Sequence, residues 1–207
     1  MIDKEAYPQH PVYDKNTIEF VTVAAEYCAF LESCRRYNSK SFFDKSVKLL
    51  SLLYLKTSLL PNLEDSSFSD LQQFVTEASY ENLRQNITCL TGQYDEYLEV
   101  FQEDMQYSDT PIVAYISEGL ADVYQDLKDM ISNFQSADIQ IMNDALRDCK
   151  DNFQAYWGQK ALNTLRAMHN VLYADIDWDD DEQSVSDFND SDFETNINRE
   201  EIDFFND

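Results

Sequence analysis

The spacing closest to metal chemistry is carried by four carboxylates. Glu96 and Glu99 form an E-x-x-E pair, and Glu118 and Asp122 follow as E-x-x-x-D. On helices, acids three or four apart share a face, so two such pairs facing one another can hold a hard divalent cation and activate water for hydrolysis of a phosphoanhydride. Histidine offers less, since there are only two. His10 sits between Pro8 and Pro11 in an expected loop, and His169 borders an apolar helix face, reading as a surface or core residue rather than a catalytic base. There is no G-x-G-x-x-G and no G-x-x-x-x-G-K run, which excludes the nucleotide sites built on such loops.

The elements that must position these residues are helical. Only three Gly and four Pro occur, and strand-type alternation is hardly visible. Periodicity predicts a helix over 17–37, with Asn16 as N-cap and Glu19 closing a capping box. A second helix, over 42–60, is apolar nearly all round and is expected to be central and buried. A third, over 79–103, carries Tyr80, Leu83, Ile87, Leu90, Tyr94, Tyr97 and Phe101 on one stripe. The fourth, capped by Asp109 or Thr110 with Pro111 in its first turn, aligns Val113, Ile116, Leu120, Val123, Leu127, Met130 and Phe134. A fifth, over 137–173, slips phase between Tyr156 and Trp157, so a bend is expected at Gly158. The fold class is therefore all-α: an antiparallel bundle of about five helices over residues 1–173, the first ~16 forming an extended arm, with an acidic tail over 174–207. Gly92 and Gly119 fall inside helices and read as points of close helix–helix approach.

This frame tests the carboxylates. The all-α nucleotide pyrophosphohydrolases hold magnesium with E-x-x-E and then E-x-x-D, and the second pair here departs from that spacing. With Tyr80 and Val113 as seam positions, Glu96, Glu99, Glu118 and Asp122 all fall on outer, solvated positions. A di-iron bundle would need E-x-x-H, but Arg166 precedes His169 and Tyr7 precedes His10 at that spacing. Asp104 continues the third stripe inward, where a carboxylate needs a partner such as the Tyr107 hydroxyl or a metal, and Asp126 flanks the fourth. An acid exposed at the end of the helix is the favoured reading of Asp104.

Charge points elsewhere. The net charge is −25, and residues 174–207 hold 14 of the 40 acids but only Arg199 among the 15 cations. That leaves −13 on the tail against −12 on everything before it. Such a surface opposes direct contact with nucleic acid or anionic membranes and favours a basic partner or solubility. The stretch from Asp175 is no EF-hand, because Asp180 stands where glycine must turn and Ser186 where a glutamate must ligate. Trp178, Phe188, Phe193, Phe204 and Phe205 are spaced among the tail's acids as candidate partner-binding anchors; the equal alternative is a solubilising tail whose last turn, REEIDFF, docks on its own bundle. Cys28, Cys34, Cys89 and Cys149 lack paired spacings and fall in apolar helical patterns, which predicts reduced, mostly buried thiols. No apolar run opens the chain, and the stretch LLSLLYLKTSLL is too short to span a bilayer, so a soluble, cytoplasmic protein is expected.

The segments VTEASYENLRQNI, YDEYLEVFQEDMQYSDTPIVAYISEGLADVYQDLKD and MNDALRDCKDNFQAYWGQKALNTLRAMHN resemble an uncharacterised, all-helical bacterial family of the Bacteroidetes type, known as a domain of unknown function. The resemblance covers most of residues 17–173 and implies an intracellular helical protein with no assigned activity and no established cofactor. The residues themselves favour a non-enzymatic protein-interaction module whose acidic tail binds a basic partner, without a cofactor. The alternative is a metal-dependent hydrolase using Glu96, Glu99, Glu118 and Asp122.

Overall fold

A computed structural model of the chain describes residues 10–65, 70–99 and 112–178. Helix α1, Lys15–Glu32, is opened by Asp14, whose carboxylate accepts the Asn16 N–H at 2.8 Å. The cap thus lies two residues before the expected Asn16, and the helix gives way to a 3-10 turn at Cys34–Arg36 instead of running to residue 37. Ahead of it, the His10 ring caps a 3-10 turn at Pro11–Tyr13. Val12 is fully buried in the core, so from residue 10 the N-terminal segment packs on the bundle rather than trailing as an arm.

Helix α2, Ser39–Ser58, is capped by Asn38 through the Ser41 N–H at 2.9 Å. It buries Phe42, Phe43, Leu50 and Leu53, yet leaves Leu52 39% and Leu55 52% exposed. It is therefore a flanking helix, packed on α1 and on the last helix, and not the central one.

Helix α3, Glu77–Thr91, starts in a capping box between Thr76 and Ser79 and stops at Gly92, whose φ of +53° ends the helix in a region only glycine enters freely. The expected continuation of this helix to residue 103 does not hold. Tyr94 lies in a 3-10 turn at Gly92–Tyr94, and Tyr97 lies on strand β1, Glu96–Glu99. Strand β2, Ile112–Tyr115, pairs with it antiparallel, placing Leu98 opposite Val113 and Tyr97 opposite Ala114. Helix α4, Ile116–Phe134, consequently begins after Tyr115; Asp104, Tyr107, Asp109, Thr110 and Pro111 lie outside the described residues.

No side chain of the preceding residue caps α4. Asp95 does so from across the chain. Its carboxylate accepts the Ser117 N–H at 2.8 Å, the Ser117 hydroxyl at 2.7 Å and the Thr91 hydroxyl at 2.8 Å. An acid at a helix N-terminus satisfies free N–H groups and meets the positive end of the dipole.

Helix α4 is the true centre, packed on α1, α3 and both later helices. Those are α5, Ile139–Asn152, and α6, Gly158–Leu172, joined by a π-helical turn at Phe153–Trp157. The π turn takes up one extra residue, and this is the phase slip read at Gly158. It delivers Trp157, fully buried, to donate its indole N–H to the Cys149 carbonyl at 3.0 Å. With α5, π turn and α6 taken as one interrupted rod, the described residues form an all-α bundle of five rods plus the small hairpin. At Gly119 a Cβ would overlap the Thr164 hydroxyl, so α4 and α6 approach closely there, as expected. Among the described residues nothing lies within 4 Å of a Cβ placed at Gly92, which serves the turn.

Past α6, the Trp178 ring packs 5.7 Å from Phe43 and 6.1 Å from Tyr94, centre to centre. Phe188, Phe193, Phe204 and Phe205 lie outside the described residues.

Candidate functional site

A cleft of about 490 Å³ opens between α4 and α5. One wall is the α4 face bearing Asp122, Asp126, Asp129 and Asn133, residues spaced three or four apart and so aligned on one side. The other wall is α5, with Asp148, Cys149 and Asn152, and the rim is Leu71–Gln73. Helix side chains hold that rim in place. Asn133 pairs with Gln72 as a second backbone would, accepting its N–H at 3.0 Å and donating to its carbonyl at 2.8 Å. Asp129 accepts the N–H groups of Phe74 and Val75 at 2.6 and 2.9 Å. Further up the same connection, Asn143 pairs with the backbone of Glu64 in both directions. The described parts of this connection, which have no regular structure, are thereby tied to the helices by amides and carboxylates that replace a missing ladder.

The electrostatics of the cleft are one-sided, since no Lys, Arg or His lines it among the described residues. Burial pushes the Asp126 carboxyl up to about 6; the Asn152 amide donates to it at 3.0 Å and lowers it in part, while Asp148, Asp122 and Asp129 raise it further. Partial burial and the neighbouring Asp151 also raise Asp148, which makes no hydrogen bond or ion pair among the described residues.

Asp122, at the end of the cleft, is committed to the protein. Its Oδ1 accepts the Tyr80 hydroxyl and its Oδ2 the Tyr156 hydroxyl, both at 2.7 Å. Lys160 lies 3.7 Å from this carboxylate and 3.7 Å from that of Glu118. Burial first, and then the bond to Asp122, holds both phenols well above their ordinary range.

These positions rearrange the four carboxylates picked out by spacing. Glu96 and Glu99 lie on β1, where a separation of three residues points to opposite faces. Glu96 is exposed, while Glu99 is buried and accepts the Asn163 amide at 2.6 Å. Glu118 and Asp122 share Lys160. The assignment of all four to outer, solvated positions is corrected for Glu99 and Asp122. Among the described residues, no three His, Cys, Asp or Glu side chains converge in a way that could hold a metal ion.

Both histidines are held in local structure. His10 Nδ1 accepts the Val12 N–H at 3.3 Å and its Nε2 lies 3.4 Å from Glu64, while His169 packs on Tyr173 at 4.7 Å. All four cysteines are free thiols; three are buried, with Cys28 pushed up to about 12 by burial, but Cys89 is exposed. Sequence reasoning singles out Asp126 and passes over Asp129 and Asp148. The run Asp122, Asp126, Asp129 at helical spacing is the signal that could have found the α4 wall.

Similarity to known proteins places this architecture. The family model for a domain of unknown function, DUF5063, matches residues 11–174. The chain is similar to protein BF1032 of Bacteroides fragilis, a structural-genomics target with a crystal structure, at 45% identity and a TM-score of 0.72, over 80% of this chain and 97% of that one. Curated proteins include no match to it. No described helix is long and apolar enough to cross a membrane. Spanning most of the bundle, the family match makes this chain a member of the DUF5063 family, a domain of unknown function.

Proposed function

We propose that the protein is a non-enzymatic interaction module that takes a Lys- or Arg-bearing segment of a basic partner into the α4–α5 cleft, with the acidic tail as a second contact. The observation that carries this reading is a concave site whose only charged lining groups among the described residues are carboxylates. Asp148 has no partner among the described residues, and Asp126 is held partly protonated near pH 6 by burial. An ammonium or guanidinium group entering the cleft would relieve both: it supplies the missing partner and draws the proton off Asp126. Complementary charge of this kind speeds and orients encounter, while side chains seated in the cleft slow release. Of the aromatic anchors, Phe188, Phe193, Phe204 and Phe205 are assigned to the tail contact; Trp178 packs on the protein's own α2.

The test is titration of the full chain with a fluorescent nonapeptide of alternating Lys and Ala. Binding should weaken at least tenfold from 0.05 to 0.5 M salt, as the screening length falls from over ~10 Å to under ~8 Å. It should strengthen as pH rises through 6, where Asp126 ionises. The double variant Asp126→Asn, Asp148→Asn should bind about tenfold more weakly. Unchanged affinity in that variant overturns the cleft as the site.

A further inference from the structure

The acidic protein carries one basic stretch. Residues 33–48 hold Arg35, Arg36, Lys40, Lys45 and Lys48 against Asp44 alone, a third of the chain's 15 cations in sixteen residues. All five are exposed. Lys48 is paired with Asp44 at 2.6 Å, and Arg35 donates to the Asn86 amide oxygen. Lys45 sits 4.2 Å above the Tyr37 ring. Arg36 and Lys40 have no ion pair among the described residues. Lys40 also lies in the first turn of α2, which contains no acid, so the helix dipole opposes its charge. Local structure disfavours a cation there, and an anion from elsewhere in the chain would compensate it.

The chain itself carries such anions within tether range of this place. Trp178 docks on Phe43, which follows Lys40 by three residues and so neighbours it on the helix surface. The next four residues are Asp179, Asp180, Asp181 and Glu182. At no more than ~3.5 Å per residue they stay within about 14 Å of the Trp178 backbone. Tethering at this range puts the acids at an effective concentration on the order of millimolar beside the patch. We propose that Asp179–Glu182 fold back from Trp178 onto Arg36, Lys40 and Lys45, so that the acidic tail occupies the protein's own basic patch. The inference deepens the reading of the tail as a contact element, because a basic partner must then compete with the start of α2 for the tail. It does not depend on the α4–α5 cleft, which is lined by other elements.

The experiment is zero-length carbodiimide crosslinking of the full chain at low salt, mapped by mass spectrometry, and it needs no partner. Monomer should yield amide links from Asp179–Glu182 to Lys40 or Lys45, reduced at least fivefold in 0.5 M salt. A full-length variant with Asp179→Asn, Asp180→Asn, Asp181→Asn and Glu182→Gln should keep its melting behaviour, and trypsin should cut after Arg36 and Lys40 at least fivefold faster than in the parent. Three results overturn the proposal: links to other lysines only, links confined to a dimer, or equal cleavage rates. In each of these the cleft titration still reads the cleft separately.

Discussion

Asp122 and Asp126 stand one turn apart on the same face of α4, in opposite circumstances. Asp122 belongs to a closed junction: two tyrosine hydroxyls, from α3 and the π turn, and Lys160 from α6 converge on it. Beside it Gly119 lies against Thr164 with no room for a methyl group. Asp126 belongs to an open cleft, where one amide is offset by three neighbouring acids. The junction uses a carboxylate to lock helices together. The cleft keeps one under-compensated, at a cost to the fold, as binding sites commonly do.

That contrast can be broken at either end. The largest effect is expected at Gly119→Ala. On a free helix surface Ala would gain up to ~1 kcal/mol over Gly, but here the stiff, buried Thr164 must move, and a net loss of ~2–3 kcal/mol is expected. Calorimetry should show a melting temperature lower by roughly 5–10 °C, partly restored by Thr164→Ala. A rise instead would mean that the junction is not closed.

Next is Asp122→Ala, which strips two half-buried phenols of their acceptor. A loss of ~2 kcal/mol is expected in urea unfolding. If it proves neutral, the two carboxylates are not different in kind.

Asp126→Asn should act with the opposite sign. The folded chain holds the Asp126 proton up to about pH 6, whereas the unfolded chain releases it near ~3.9. Wild-type stability from this group is therefore full below pH ~4 and lost as pH rises through 6. The variant should be more stable by about 1 kcal/mol at pH 8, a figure discounted for partial exposure, and the gain should vanish by pH 4. Paired denaturation series at the two pH values read this directly. The smallest effect is expected at Asp148→Asn: exposed on α5, it should gain only ~0.3 kcal/mol at pH 8. A larger gain there would move the centre of the cleft's charge from Asp126 to Asp148.

Much of the frame is legible in the residue pattern. The stripe Ile116, Leu120, Val123, Leu127 and Met130 is buried throughout, and the phase slip at Tyr156–Trp157 is a π turn. Periodicity overextends the third helix because Tyr94 and Tyr97 happen to continue its spacing. The decisive signals are Gly92, free to take a positive φ, and the β-branched pair Ile112 and Val113. Composition places helix α2 at the centre, although its Leu52 and Leu55 are half exposed and α4 holds that position.

Sequence alone determined the helical class, the long rods and the concentration of acid in the tail, because each depends on residues within a turn or two of one another. Which carboxylate is satisfied and which is left wanting was decided only in three dimensions. The hydroxyls that quiet Asp122 come from Tyr80 and Tyr156, 42 and 34 residues away, and the amide that only partly quiets Asp126 comes from Asn152, 26 residues away. Helical periodicity is local, whereas hydrogen-bond satisfaction and desolvation depend on whatever distant side chain the packing delivers.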